Sequence, residues 1–227
     1  MNIFTISFII YYKLKFVNKG EIYMDCFKTK EGNSIVRVFH ASPNAPTVDI
    51  YINGEIFTPE LGFTGMSDYS YLEEGMHTIE IRSMGDSTTT ILTKMIDVPD
   101  DRIFTIAIVG NLDNLEFILI EDDIDEIPSP KESTVRVIHL SPDSPNVNVF
   151  ANGNSLFENL EFKGNSDYTK VPSGAYSMDV TSSNTGDIVL SGNLNLKANR
   201  IYTIYVIGNP PSLGLIQSVD VNSYLCR

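Results

Sequence analysis

The run Val36-Arg37-Val38-Phe39-His40-Ala41-Ser42-Pro43-Asn44-Ala45-Pro46 returns 99 positions later as Val135-Arg136-Val137-Ile138-His139-Leu140-Ser141-Pro142-Asp143-Ser144-Pro145. Between residues 36 and 75, 17 of 40 positions are identical to their counterparts, which is duplication rather than coincidence. The segment Arg102–Asn111 reappears as Arg200–Asn209, 98 positions on, so one residue was lost in the intervening loops. A period this long is a whole domain, because solenoid repeats run at about 20–50 residues. The chain is therefore expected to hold two copies of one domain. The boundaries are an N-terminal extension over residues 1–33, a first copy over 34–123, an acidic, proline-containing linker over 124–132 and a second copy over 133–227. Each copy is large enough to bury a core of its own, and 42% hydrophobic against 20% charged residues is an ordinary globular mixture.

Within a copy the pattern is that of short strands. Ile35 to His40 alternates apolar and polar residues, Ser42-Pro43-Asn44-Ala45-Pro46 breaks the run, and Val48, Ile50 and Ile52 restore a period of two. Asn53-Gly54 and Asn152-Gly153 are strong hairpin signals, since both positions tolerate positive φ in a type I′ turn. His77 to Arg82 alternates again, and Ile103 to Val109 precedes a closing strand at Leu115–Ile120. Seven or eight strands per copy, turns every 8–12 residues and no helical period predict an all-β chain of two tandem antiparallel β-sandwiches, immunoglobulin-like or transthyretin-like in strand order.

A net charge of −13, from 16 Lys and Arg against 29 Asp and Glu, excludes a phosphate-tracking basic face, so neither nucleic acid nor an anionic membrane surface is an expected partner. Cys26 and Cys226 flank the repeated cores rather than stapling them, which predicts free thiols; an end-to-end or intermolecular bond in an oxidising setting is the alternative. The apolar run Ile3–Tyr12 lacks preceding positive charge and a small-residue cleavage site, and is too short to span a bilayer. Lys19-Gly20-Glu21, a few codons before Met24, reads like a translated ribosome-binding site, so Met24 is the expected start. On these grounds the sequence itself points to the cytoplasm.

The ordered motif Val-Arg-Val-x-His-x-Ser-Pro-x-x-Pro-x-Val, then Asn-Gly, then Ser-Asp-Tyr, then a glycine turn, resembles the bacterial domain of unknown function 4397 family in both copies, over residues 34–223. The resemblance implies a β-sandwich domain, often in tandem, in surface or secreted bacterial proteins, with no established activity. The second copy departs from it at Asn148, where the first has Asp49, so an indispensable carboxylate is not expected there.

Three constellations bear on chemistry. His40 with Ser42 and Asp49, echoed by His139 with Ser141 and Asp143, has the residue types of a hydrolytic triad. Each serine precedes a proline, however, and reads better as a turn former, with the histidine packed against the following loop. Asp97, Asp100, Asp101 and the acidic linker offer oxygen ligands suited to calcium, but without the spacing of a calcium-binding loop. Ser67-Asp68-Tyr69 and Ser166-Asp167-Tyr168 place a carboxylate beside an aromatic ring, which suits a sugar or a peptide; the alternative is a strand-entry motif with a packed tyrosine. The candidate ligand-binding residues are thus His40, Asp49, Asp68, Tyr69, His139, Asp167 and Tyr168. No catalytic residue, metal site or cofactor is expected, since phosphate loop, nucleophile elbow and nucleotide fingerprint are all missing.

The expected function is a non-enzymatic structural or adhesion-type module at a bacterial surface or envelope, binding a protein or a glycan, with two copies suited to avidity. The alternatives are a hydrolase or carbohydrate-active accessory protein using the His40 and Asp68 loops, or a cytosolic protein-binding module.

Overall fold

A computed structural model describes residues 30–86, 88–122 and 128–225. The expected Met24 start, both thiols and residues 124–127 of the acidic linker lie outside the described residues. The first copy runs β1 (Asn33–His40), β2 (Val48–Ile52), β3 (Glu55–Leu61), β4 (Ser70–Glu73), β5 (Gly75–Ser83), β6 (Thr90–Val98), β7 (Ile103–Val109) and β8 (Glu116–Glu121). The second follows as β9 (Glu132–His139), β10 (Val147–Ala151), β11 (Asn154–Leu160), β12 (Thr169–Pro172), β13 (Gly174–Ser182), β14 (Ile188–Leu196), β15 (Arg200–Asn209) and β16 (Ser212–Val219). No helix among the described residues is long and apolar enough to cross a membrane.

Each copy is a sandwich of two four-stranded sheets. In the first these are ordered β4-β1-β7-β8 and β3-β2-β5-β6; in the second, β12-β9-β15-β16 and β11-β10-β13-β14. The pairings are antiparallel except β1 with β7 and β9 with β15, which are parallel. The parallel pair joins strands from the two ends of a copy, so no local signal reports it. The Asn-Gly turns form as the sequence predicts, with Asn53 and Gly54 at φ 52° and 82° and Asn152 and Gly153 at 51° and 77°. The Asn53 carboxamide oxygen then accepts the Thr78 amide, and Asn152 does the same for Ser177, tying each hairpin tip to the next strand.

The strands differ in what covers them. In β2 and β10 buried residues alternate with half-buried ones, as for a sheet with one face toward the core. By contrast β7 is buried throughout, and β1, β9 and β15 almost throughout, which is the mark of strands covered on both faces. One face of this sheet fills its own sandwich, with Val36, Val38, Phe104, Ile106 and Ile108 in the first copy. The other face packs on the equivalent sheet of the other copy. Phe39, Ala41, Ala107, Val109 and Ile120 from the first copy form a single apolar cluster with Ile138, Leu140, Tyr205, Ile207 and Ile216 from the second. The two inner sheets thus lie face to face between the two outer ones. The alternation read at Ile35–His40 does not leave its polar residues in solvent, because the second copy buries Arg37 to 2% exposure.

Candidate functional site

His40 and His139 end β1 and β9 and are fully buried. Each turns back on its proline loop. His40 Nε2–H donates to the Pro46 carbonyl at 3.1 Å, and His139 Nε2–H to the Pro145 carbonyl at 3.2 Å. A carbonyl can only accept, so this bond fixes the neutral tautomer with its proton on Nε2. Burial lowers the pKa of both rings, against the raising effect of those backbone contacts. Ser42 and Ser141 are fully buried beside them. Asp49 lies elsewhere, on the outer sheet. Its Oδ1 accepts the amide of Glu60, which sits at φ 53°, and Asn148 Oδ1 holds Asn159, at φ 52°, in the same way. The position acts as an acceptor in both copies: Asp49 Oδ2 also meets the Gly85 amide at 3.4 Å, and Asn148 Oδ1 also accepts the Ser183 hydroxyl at 3.2 Å, so Asp and Asn both serve there. The acidic loop at Asp97–Asp101 lends Asp100 Oδ1 to the Gly32 amide at 2.7 Å; no group of three acidic, His or Cys side chains among the described residues is arranged to hold a metal.

The Ser-Asp-Tyr motifs are locked onto the inner sheets. Ser67 Oγ accepts the Val38 amide at 2.8 Å and donates to the Asp68 carbonyl, while Ser166 does the same with Val137 and Asp167. This aims each tyrosine inward and leaves each aspartate side chain outside. The Tyr69 hydroxyl donates to Asp122 at 3.2 Å and the Tyr168 hydroxyl to Asp220 at 2.9 Å. An arginine guanidinium lies over each ring, Arg37 4.6 Å from the Tyr69 centroid and Arg136 4.5 Å from that of Tyr168.

These groups form a buried ionic cluster across the junction. Arg136 pairs directly with Asp122 of the first copy, and Arg37 lies 3.6 Å from Asp220 of the second. Arg37 also donates to Thr105, Ser218 and Tyr205, and Arg136 to Thr203 and the Glu121 carbonyl. Burial alone would depress the Arg37 pKa, but Tyr69, Tyr205, Asp122 and Asp220 outweigh it and hold it above the ordinary arginine value. Burial, and next the Asp220 carboxylate, push the Asp122 carboxyl up to about 7 against the pull of Arg136 and Arg37. Each pair joins an arginine of one copy to an aspartate of the other, and both members are enclosed at the junction.

Beside the cluster a groove of about 560 Å³ opens between β8 and the β11–β12 segment. Its apolar floor is Ile118, Ile120 and Ile138, and its walls carry Lys163, Asn165 and Asp167, with Arg136 and Tyr168 at the back. Lys163 reaches across the junction to Glu116 at 2.6 Å and closes one end. Of the residues singled out from the sequence, Asp167 and Tyr168 alone line this groove; His40, Asp49, Asp68, Tyr69 and His139 do not. Met66 stands where the second copy has Asn165 and packs into the junction, and Val221, just after β16, is buried against Ile35, Tyr69 and Ile103. Sequence reasoning missed Lys163, Asn165 and Leu119, whose shared surface exists only once the copies pack. The available signal was the divergence of the repeats themselves, Lys163 for Thr64 and Asn165 for Met66 within an otherwise matched segment.

No protein of curated function matches the sequence. The solved structures that resemble the chain weakly include the following. The Bacillus anthracis TIE protein is 12% identical with a TM-score of 0.26, the match covering 79% of this chain and 34% of that one, so the chain spans about a third of that relative's length. A family 26 carbohydrate-binding module of Eubacterium rectale Amy13K, solved with maltoheptaose, is 10% identical with a TM-score of 0.26, covering 81% and 95%. A leucine-rich repeat protein of Bacteroides thetaiotaomicron is 12% identical with a TM-score of 0.19, covering 81% and 26%. Scores this low carry no argument about this chain. The family model is decisive where these are not: it matches residues 34–132 and again 133–224, and the chain belongs to the DUF4397 family of domains of unknown function, of which it holds two adjacent copies.

Proposed function

We propose that the protein is a non-enzymatic binding module of adhesion type at a bacterial surface or envelope, in which two fused sandwiches present one asymmetric ligand groove. The observation that carries this reading is the groove, built jointly by both copies, within the 300–1,000 Å³ range of ligand sites. Asp167 stands exposed on its wall, and its carboxylate takes no hydrogen bond or ion pair from a described residue. The triad-like residues support the same reading. A hydrolase needs an accessible nucleophile beside its base, whereas Ser42, Ser141 and both histidines are enclosed, and each histidine is bonded back to its own proline loop.

The test combines native-cell fractionation with arrays of glycans and proteins probed with the full chain and with Asp167→Ala. Surface location together with an Asp167-dependent ligand supports the reading. A purely cytosolic protein removes the adhesion role, and turnover of ester or glycoside substrates that is lost in His40→Gln or His139→Gln replaces the module by an enzyme.

A further inference from the structure

The groove has a second property besides its shape. β8 is the last strand of its sheet, paired with β7 on one side alone. The Asp122 amide donates to the Ile103 carbonyl, so in this antiparallel register Ile120, Ile118 and Glu116 also face β7. Phe117, Leu119 and Glu121 therefore turn their N–H and C=O groups outward. Two of those carbonyls are already taken: Phe117 C=O accepts the Lys94 ammonium at 3.3 Å and Glu121 C=O accepts Arg136 at 2.6 Å. Between these caps the Leu119 N–H and C=O meet no described residue, and Leu119 is 45% exposed at the groove. Lysines at edge strands are the usual protection against unwanted pairing. Here Lys94 and Arg136 bracket one open position rather than covering it.

The charges around this position are unequal. Glu116 is matched by Lys163, Glu121 by Arg102 and Arg136 by Asp122. Asp167 is left as the unmatched charge on the wall, so the groove complements a cation. The open stretch of β8 spans about 10–13 Å at 3.3 Å per residue, room for three or four extended residues. Their side chains alternate, so those facing the groove sit two positions apart.

We propose that the groove takes a short extended peptide, which adds as a strand to β8 through the Leu119 N–H and C=O and sets a lysine or arginine against Asp167, with an apolar side chain two positions away over Ile118 and Ile138. This rests on the binding-module reading and names its partner class. Main-chain bonds give affinity in such strand addition, and the alternating pockets give selectivity.

The test is fluorescence polarisation of the full chain with pools of labelled, end-capped pentapeptides, randomised around a fixed central lysine. Matched pools carry a central glutamate, or a central lysine with its backbone nitrogen methylated. The lysine pool should bind and the other two should not. Asp167→Asn should weaken binding at least fivefold and flatten its salt dependence. Leu119→Pro should abolish binding while leaving the melting temperature within a few degrees, because that N–H lies outside the native ladder. Equal binding of the glutamate or N-methyl pool, unchanged binding by folded Leu119→Pro, or no binding by any pool overturns the proposal; the N-methyl arm decides even where the proline variant fails to fold. A glycan that binds in an Asp167-dependent way while no peptide does would overturn this proposal and leave the binding-module reading standing.

Discussion

Arg136→Met is the substitution that most directly probes the junction. Arg136 and its partner Asp122 are 4% and 0% exposed. Methionine has similar bulk and keeps the stem in place, but the change strips Asp122 of its direct counter-ion and leaves the Glu121 carbonyl without its donor and the Thr203 hydroxyl without the Nε–H it accepts. Breaking one partner of a buried pair costs about 3–5 kcal/mol, since a charge is left enclosed. Arg37 and the Tyr69 hydroxyl still face Asp122, which places the expected loss toward the lower end, about 3 kcal/mol. Arg136→Lys retains the charge but not the planar fork, and should cost less, about 1–3 kcal/mol. The assay is urea unfolding followed by tyrosine fluorescence and by far-ultraviolet circular dichroism. Wild type should unfold in one transition, because the copies share a core. Arg136→Met should shift the midpoint by the loss above and separate the probes, as the junction gives way before the sandwiches. In a double-mutant cycle with Asp122→Asn the two losses should be strongly non-additive. A change below about 1 kcal/mol, the value of an exposed pair, would refute the reasoning.

The histidines make stability depend on pH. Their pKa values lie below the ordinary 6.5 when folded, so the native state binds fewer protons than the unfolded chain; their contribution is present above pH 6.5 and is lost as pH falls. The slope is at most about 1.4 kcal/mol per pH unit for each ring. Asp122, raised to about 7 from 3.8, works in the opposite sense, stabilising as pH falls through that window. Urea midpoints of wild type and the His40→Gln/His139→Gln variant should therefore converge as the medium is made acidic, and parallel curves would exclude the histidine contribution. Gly110→Ala should cost about 1–3 kcal/mol, because Gly110 has φ 86° and a Cβ there would sit 2.3 Å from the Asn114 carbonyl oxygen. Gly54→Ala meets no atom within 4 Å and should cost less, both variants being compared by urea unfolding. Asp49→Asn should be nearly neutral, as Asn148 already does the same work, whereas Asp49→Ala frees the Glu60 amide and should cost about 1 kcal/mol by denaturant titration.

Much of the fold is local chemistry written twice. The repeat, the Asn-Gly turns and the period-two pattern of β2 and β10 follow from the order of residues alone, because backbone dihedral preference and one-sided burial act over a few neighbours. The Ser-Asp-Tyr motif was legible as a fixed motif, but the destination of its tyrosine was not. Tyr69 and Tyr168 reach Asp122 and Asp220, more than fifty positions along the chain. Only tertiary structure decided the parallel pairing of β1 with β7, the burial of Arg37 and Arg136, and the groove floored by Ile118 and Ile138. The physical reason is shared by all three. Periodicity reports that a strand face is apolar or polar, not what comes to lie on it, and a polar face can be buried at modest cost when a second copy brings the matching charge. Packing one repeat on the other supplied that match, and the residues in which the repeats differ, Lys163 and Asn165 against Thr64 and Met66, shaped the groove beside it on one side of the junction.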